Sequence, residues 1–430
     1  MNIFSKPCSI CAMESHDEME CPLSCFIASP YREIRMSLRF SEYRLTERMK
    51  SFMALLASSK TLKSVEIRKA AVQDMGAFEI ANILKVNSCL TSLTLVVTSI
   101  GCDGAIAIAD ALKINSFLIS LNLGRNMIRN DGAIAIMEAL KINSFLTSLD
   151  LRENKLQDVC AIEIAEILKF NSSLKSVNLY GNYIGCNGAI AIANSLMVNS
   201  CLTLLDLGCN QFGRNGAIAI AGALGMNSSL TTLHLVDNRI GSQGAIHFSN
   251  ALKINSTLTT LNLSRNEIAT KGAIALAHSL TINSTITKLD LNSNNITNDG
   301  MVAFAMALKV NSILLSLILD KNRIENDGLI AIAEALKVNV SLTRLGLIYC
   351  GIDLDGRILL AEALRYNPTL DYLDIERKRG RDWHTVATSK VDNEGAFNGL
   401  LQKIIGQDGG KVLSSKFRMK FPSVQNYHNI

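Results

Sequence analysis

The 430-residue chain reads as an α/β solenoid, with a parallel β-sheet along one side and α-helices along the other. Three observations carry that expectation. The pattern L-x-x-L-x-L returns at an unbroken interval of 28 residues, the residues inside it alternate with the period of a strand, and the rest of each unit follows the period of a helix. Apolar residues make up 48% of the sequence and charged residues 19%, which permits extensive burial, and five prolines leave no long linker. A stacked repeat also lifts the size limit of a single globular core.

The pattern opens at Leu62, Leu90, Leu118, Leu146, Leu174, Leu202, Leu230, Leu258, Ile286, Leu314, Leu342 and Leu370. LTSLDL and its counterparts are short and alternate with period two, as a strand with one buried face does. Asparagine follows the strand in eight consecutive units, at Asn126, Asn154, Asn182, Asn210, Asn238, Asn266, Asn294 and Asn322, and Cys350 takes the place in the next. A polar side chain fixed beside Ile128, Ile184 or Ile240 is expected to satisfy backbone groups of the turn and of the neighbouring unit. The segment GAIAIAxALKxN then places Ala189, Ile192, Ala193 and Leu196 on one helix face. A glycine opens each helix, as at Gly76, Gly104, Gly188 and Gly272, with Cys160 the interior exception. The Asp or Asn before it is expected to be the N-cap. In eleven units, from Asn87 through Asn199 to Asn367, asparagine closes the helix and is expected to take a left-handed C-cap conformation. Lysine near the helix end, at Lys85, Lys113, Lys141, Lys169, Lys253, Lys309 and Lys337, reads less as a basic stripe for an acidic partner than as a cation favoured by the helix dipole, by about 0.3–1 kcal/mol each.

These residues resemble the leucine-rich repeat, and the 28-residue length with a full GAxAIAxALK helix is similar to its ribonuclease-inhibitor subtype. The resemblance covers about residues 60 to 375. It implies a horseshoe with the sheet on the concave face and the helices on the convex face. Spacing gives the same bend, because strands stack about 4.8 Å apart and helices about 8–10 Å apart. Twelve strands would line an arc of roughly 50 Å, enough to follow the surface of a partner protein. The expected organisation is a Cys-rich segment over 1–32, a degenerate cap over 33–61, the solenoid over 62–375, a C-terminal cap with an insertion around Trp383 over 376–405, and a basic tail over 406–430.

A net charge of +5, with lysine and arginine spread along the chain, does not call for nucleic acid. The start MNIFSKPCSICAMES lacks the apolar run of a signal peptide, and no window of about 18 apolar residues suits a membrane span. The expectation is a cytoplasmic monomer. Eleven cysteines are an odd number, seven of them scattered through the repeats, as reduced thiols would be. Triplets such as Asn171-Ser172-Ser173 and Asn255-Ser256-Thr257 are products of the repeat rather than glycosylation sites. GQDGGKV over 406–412 is one residue short of a phosphate-binding loop and has Val412 where Ser or Thr should hold magnesium. No nucleophile elbow, dinucleotide fingerprint or metalloprotease helix occurs, so a non-enzymatic module without a cofactor is expected.

Candidate sites remain at four places. Cys8-x2-Cys11-x4-His16-x4-Cys21, followed by Cys25, has the spacing of a CCHC zinc knuckle. Its acidic loop lacks the glycines and aromatics of such knuckles, and reduced thiols in a loose tail are the competing account. The outward column of the strands runs Glu66, Thr94, Asn122, Asp150, Asn178, Asp206, His234, Asn262, Asp290, Ile318, Gly346 and Asp374. Its carboxylates, with Asp150, Asp206 and Asp290 foremost, are expected to be solvated and suit a basic partner, with a merely hydrophilic surface as the competing account. Leu315, Ile318, Ile348 and Tyr349, with Tyr372 one unit on, replace polar consensus residues and form an apolar anchor, unless the C-terminal insertion covers them. Arg152, Tyr180 and Tyr183 make a second patch.

The leading functional reading is a scaffold that binds a protein partner of unknown identity. Repeats of this subtype also occur in NOD-like receptors, whose nucleotide-binding domain roughly 60 residues before the repeats cannot contain. A GTPase activator resembling the Ran type would use Arg125, Arg152, Arg239, Arg265 or Arg323, although a basic tail stands where that family has an acidic one. A ribonuclease-inhibitor-like protein would use the acidic column.

Overall fold

The computed structural model describes residues 33–37, 53–54, 56–376 and 383–387. The chain forms two compact units, Met1–Phe212 and Gly213–Ile430. In the first, strands β1 (Glu33–Ser37), β2 (Ser64–Arg68), β3 (Ser92–Val96), β4 (Ser120–Asn122), β5 (Ser148–Asp150), β6 (Ser176–Asn178) and β7 (Leu204–Asp206) pair in sequence order, all parallel. Helices α1 (Gln73–Val86), α2 (Cys102–Leu112), α3 (Arg129–Ala139), α4 (Asp158–Leu168) and α5 (Cys186–Leu196) alternate with them.

The second unit carries α6 (Gly213–Leu224), α7 (Gly241–Leu252), α8 (Ala269–Leu280), α9 (Asn298–Leu308), α10 (Asn326–Leu336) and α11 (Leu354–Leu364). Its strands β8 (Thr232–His234), β9 (Thr260–Asn262), β10 (Lys288–Asp290), β11 (Ser316–Ile318), β12 (Arg344–Gly346) and β13 (Tyr372–Glu376) are parallel in sequence order. β14 (Trp383–Ala387), inside the stretch read as an insertion, pairs antiparallel with β13.

Register is strict: partners in neighbouring parallel strands of the repeats are 28 residues apart, as in Leu289↔Leu317 and Leu317↔Leu345. A one-residue slip would turn these buried leucines to solvent, so the apolar pattern enforces the pairing. In the helices, Ala189, Ile192, Ala193 and Leu196 are buried, which places the core between sheet and helix layer in every repeat.

Two columns of asparagine wire the repeats together. Asn266 donates through Nδ2 to the carbonyl of Leu235 in the preceding repeat (2.7 Å), while its Oδ1 accepts the amides of Asn238 (2.8 Å) and Ile240. Its own amide donates to Oδ1 of Asn294 (2.9 Å), and so the chain of bonds continues. This is the structural ladder expected of the asparagines after the strands. Cys350 keeps one strand of it, with Sγ 3.2 Å from the Leu319 carbonyl.

The second column corrects the expected C-cap. Asn87 has φ −79° and ψ 120°, which is extended, and none of its counterparts has a positive φ. They are instead cross-braces between repeats, buried except at Asn171 and Asn367, which are half-buried. Asn115 donates from Nδ2 to the Leu84 carbonyl (2.7 Å) and accepts the amides of Phe117 (3.0 Å) and Leu118 (2.8 Å) at Oδ1. The side chain thus satisfies groups on both sides, and no left-handed turn is required.

The expected N-caps are corrected as well. The Asp or Asn before the glycine lies inside the first turn, and among the described caps only Asp353 caps its own helix, accepting the amide of Gly356. Elsewhere capping can come from the preceding repeat. Asp74 accepts the amides of Gly101 (2.6 Å) and Gly104 (3.0 Å) at the start of α2, and Asp158 accepts that of Gly185 (2.5 Å) before α5. Anionic oxygen at a helix N-terminus is favourable whichever repeat supplies it.

The seven described cysteines are free, and burial pushes the thiols of Cys160 and Cys350 up to about 12, which keeps them protonated and inert. No helix of the described residues is long and apolar enough to cross a membrane.

Candidate protein-recognition surface

The outward side chains of the strands form one face in each unit. The acids on it are less solvated than the sequence suggests, because the column has a backbone task. Asp150 accepts the amide of Arg152 (3.0 Å), Asp206 that of Gly208 (2.8 Å) and Asp290 that of Asn292 (3.0 Å), each closing the turn two residues on. Asn122, Asn178 and Asn262 do the same. Each of these carboxylates therefore spends one oxygen on its own turn. Burial raises the Asp150 and Asp290 carboxyls above the usual carboxylate range, against the lowering by those amides. Asp150 and Asp206 belong to the first unit and Asp290 to the second.

At Ile318 the column loses its acceptor. Gly346, next in the column, has none either, and there Asp320 of the preceding repeat supplies it across the sheet, accepting the amide of Ile348 at 2.8 Å. Ile318 pairs in register with Gly346, where an added Cβ would stand 3.1 Å from Cδ1 of Ile318 and 2.8 Å from Oδ1 of Asp320. The missing side chain lets Ile318 and Asp320 lean over β12. Next to them Ile348 is half-buried and Tyr349 exposed, with Lys321 Nζ 5.9 Å from the Tyr349 ring centroid. The structure thus brings together Ile318, Ile348 and Tyr349 around Asp320. Leu315 precedes β11 and Tyr372 opens β13, both exposed, toward the other end of the strands. β14 lies beside β13 as a further strand, so this described part of the insertion extends the sheet rather than crossing its face.

Asp320 and Asp374 were not singled out from the sequence for this role. Asp374 is buried, with Oδ2 held by Arg344 (2.8 Å) and Oδ1 without a hydrogen-bond partner. Burial, with Asp374 and Asp290 adding to it, pushes Asp320 from 3.8 up to about 6. Its folded-state value lies above its unfolded one, so folding favours the protonated acid. That contribution is fully present below the unfolded value of 3.8 and is lost as pH rises through about 6. Asp320→Asn keeps an oxygen for the Ile348 amide and copies Asn292, its counterpart one repeat earlier. It is expected to raise the urea midpoint at alkaline pH and to leave it nearly unchanged in acid. An equal shift in both would contradict the assignment.

In the first unit Arg152 and Tyr180 sit in adjacent repeats but lean opposite ways. Arg152 covers Gly124, where an added Cβ would meet its Cγ at 2.8 Å, and Tyr180 covers Gly208, at 2.7 Å from Cδ2. Arg152 Nη1 lies 3.6 Å from Asp150, and its buried Nε has no partner. The Tyr180 hydroxyl bonds Cys209, which, with burial, pushes it up to about 12. Tyr183 is exposed in the next turn. One position further along the loops every described residue is left-handed, among them Arg125, Glu153, Arg265 and Tyr349 with φ between 51° and 59°. Their charges pair between repeats, Arg125 with Glu153 (2.7 Å) and Arg265 with Asp237 (3.4 Å).

Among the described residues no group of three or more His, Cys, Asp or Glu is placed to hold a metal ion. Cys8, Cys11, His16 and Cys21 lie outside the described residues, as do the expected segments 1–32 and 406–430.

This alternation of strand, asparagine turn and helix agrees with comparison to known families. The family described as Leucine Rich repeat matches eight segments, 115–137, 143–165, 170–193, 198–221, 227–249, 255–277, 283–305 and 310–333. The chain is a leucine-rich repeat protein. No curated protein matches it. Among solved structures it is similar to a chain of the Rad7 and Elc1 complex of yeast, with 16% identity, 78% of this chain and 84% of that one covered, and a TM-score of 0.52. It is also similar to an internalin (inlF) of Listeria monocytogenes, with 17% identity, 81% and 87% covered, and a TM-score of 0.47. A third is the C-terminal domain of tropomodulin from Caenorhabditis elegans, with 15% identity, 35% and 91% covered, and a TM-score of 0.30. At these identities the likeness concerns the fold.

Proposed function

We propose that the protein is a non-enzymatic scaffold, monomeric and cytoplasmic, that holds a protein partner on the sheet face of its second unit. The observation that carries this reading is the apolar break in an otherwise polar face: Ile318 over Gly346, with Ile348 and the exposed Tyr349 beside them and Leu315 and Tyr372 exposed at the start of β11 and β13. Aromatic and aliphatic anchors on a rigid sheet are where binding energy concentrates. The 28-residue repeat and its helices support the ribonuclease-inhibitor subtype. The Ran-type reading draws less support, since Arg125 and Arg265 are engaged by acids of neighbouring repeats. So does the ribonuclease-inhibitor-like reading, because Asp150, Asp206 and Asp290 each give one oxygen to a turn.

The test compares the full chain with the variant Ile348→Asp/Tyr349→Asp in capture from native extract, after circular dichroism shows both folded. Tyr349 has φ 55°, a conformation that aspartate tolerates better than tyrosine. Loss of about 2 kcal/mol or more in affinity for the captured partner is expected. Equal capture by both would move recognition away from this patch.

A further inference from the structure

One edge of the first unit, where helices end and strands begin, is both basic and apolar. The chain crosses it in five short segments, 59–64, 85–92, 113–120, 141–148 and 169–176, which contain seven lysines and no aspartate or glutamate. The same segments expose Val86, Ile114, Ile142 and Phe170 at successive helix ends, with Val86 75% and Phe170 86% exposed. Phe117 and Phe145 stand exposed in the turns that follow. Because these positions recur every 28 residues, they form parallel rows along the edge rather than scattered contacts.

The rows are held rigidly. Asn115 and Asn143 accept the amides of Phe117 and Phe145, each at 3.0 Å, and anchor to carbonyls of the preceding repeat, Leu84 (2.7 Å) and Leu112 (2.8 Å). A turn pinned in this way cannot fold its phenylalanine inward. A contiguous apolar strip that stays outward on a fixed backbone marks a contact surface. Lys113, Lys141 and Lys169 pair with Asp110, Glu138 and Glu166 one helical turn back. Such exposed pairs are weak and yield to a denser anion. Lys60, Lys63, Lys85 and Lys175 have no ion pair among the described residues.

We propose that this edge docks on an anionic phospholipid surface, with the aliphatic and phenylalanine side chains entering the boundary between headgroups and acyl chains and the lysines meeting the lipid anions. A membrane offers the same chemistry to every repeat, which is what a repeated lysine–apolar pair matches. A folded protein would present a different surface to each repeat, and crossing segments that carry lysine and no acid would select only part of it.

The test uses the full chain and sedimentation with vesicles of phosphatidylcholine containing phosphatidylserine, against phosphatidylcholine alone. The variant Phe117→Ser/Phe145→Ser/Phe170→Ser removes the three phenylalanines and leaves Val86, Ile114 and Ile142; Ser173 and Ser229 stand where Phe117 and Phe145 do in other repeats, so the turn accommodates serine. Lys85→Gln/Lys175→Gln removes charge without touching the apolar rows. The wild type is expected to pellet with the anionic vesicles and not the neutral ones. The phenylalanine variant should bind at least about tenfold more weakly, and each lysine removed should cost about fivefold. No pelleting with anionic vesicles at low salt, or equal pelleting by wild type and both variants, overturns the proposal. So does a phenylalanine variant whose one deficit is a lost co-purifying protein, which would make the edge a protein interface.

Discussion

Asn266→Ala is expected to destabilise the protein by about 3–5 kcal/mol. Asn266 is fully buried, and its side chain makes bonds to the Leu235 and Ser264 carbonyls and to the Asn238 and Ile240 amides. Alanine removes all of them and supplies nothing. The cost is therefore the desolvation of backbone groups stranded in two adjacent repeats, at about 1–3 kcal/mol each, less whatever water regains access. Because the stability of a stacked array is close to a sum of units and interfaces, the urea transition should both shift and broaden as the array parts at the weakened junction. Asn266→Cys separates bond loss from cavity formation. Cys350 shows that a thiol at this position still approaches the preceding carbonyl, at 3.2 Å, so the cysteine variant should lose less than the alanine variant. Equal midpoints for wild type and Asn266→Ala in urea would show that the ladder is not what holds the repeats together.

Much of the fold was legible because each repeat writes its period into the chain. Leu289, Leu317 and Leu345 recur at 28 residues and pair in register, and Asn126 to Asn322 announced a buried polar column by their fixed place. What stayed hidden was the direction of side chains between repeats. Asp74 sits two residues before a glycine inside its own helix, yet it caps the next helix. The closing asparagines resemble left-handed caps in sequence, but they turn back 31 residues to a carbonyl such as that of Leu84. A one-dimensional reading assigns a polar residue to its nearest backbone, whereas in a solenoid the residue one repeat away is equally near. The same reason concealed Asp320. Its role arises only because Gly346 has no side chain to cap its own turn and leaves room for Asp320 beside it. The edge of Val86, Ile114 and Phe170 passed as part of the helix pattern, since periodicity alone does not tell the last apolar residue of a helix from a core one.

Gly272→Val is expected to cost about 3 kcal/mol or more, and the reason lies between helices. An added Cβ at Gly272 would stand 2.8 Å from Cβ of Ala245 on α7, 2.6 Å from Cγ2 of Ile268 and 3.3 Å from the Ser242 backbone. Ile268 can turn its side chain aside, but Ala245 and Ser242 cannot move without shifting α7. The same glycine-on-alanine contact recurs between Gly104 and Ala77, Gly132 and Ala105, and Gly188 and Ala161, at 2.8–2.9 Å, so the glycine sets how closely successive helices approach. Gly272→Ala should cost less, because alanine returns about 1 kcal/mol of helix propensity against the clash. Gly222 is the internal control. It lies within α6 with nothing within 4 Å of an added Cβ, so Gly222→Ala should stabilise by about 0.5–1 kcal/mol. Opposite signs for the two alanine substitutions in urea unfolding would assign the effect to helix spacing. Stabilisation by both would mean that the helix layer expands freely, and that glycine at the helix start is no more than a feature of the repeat.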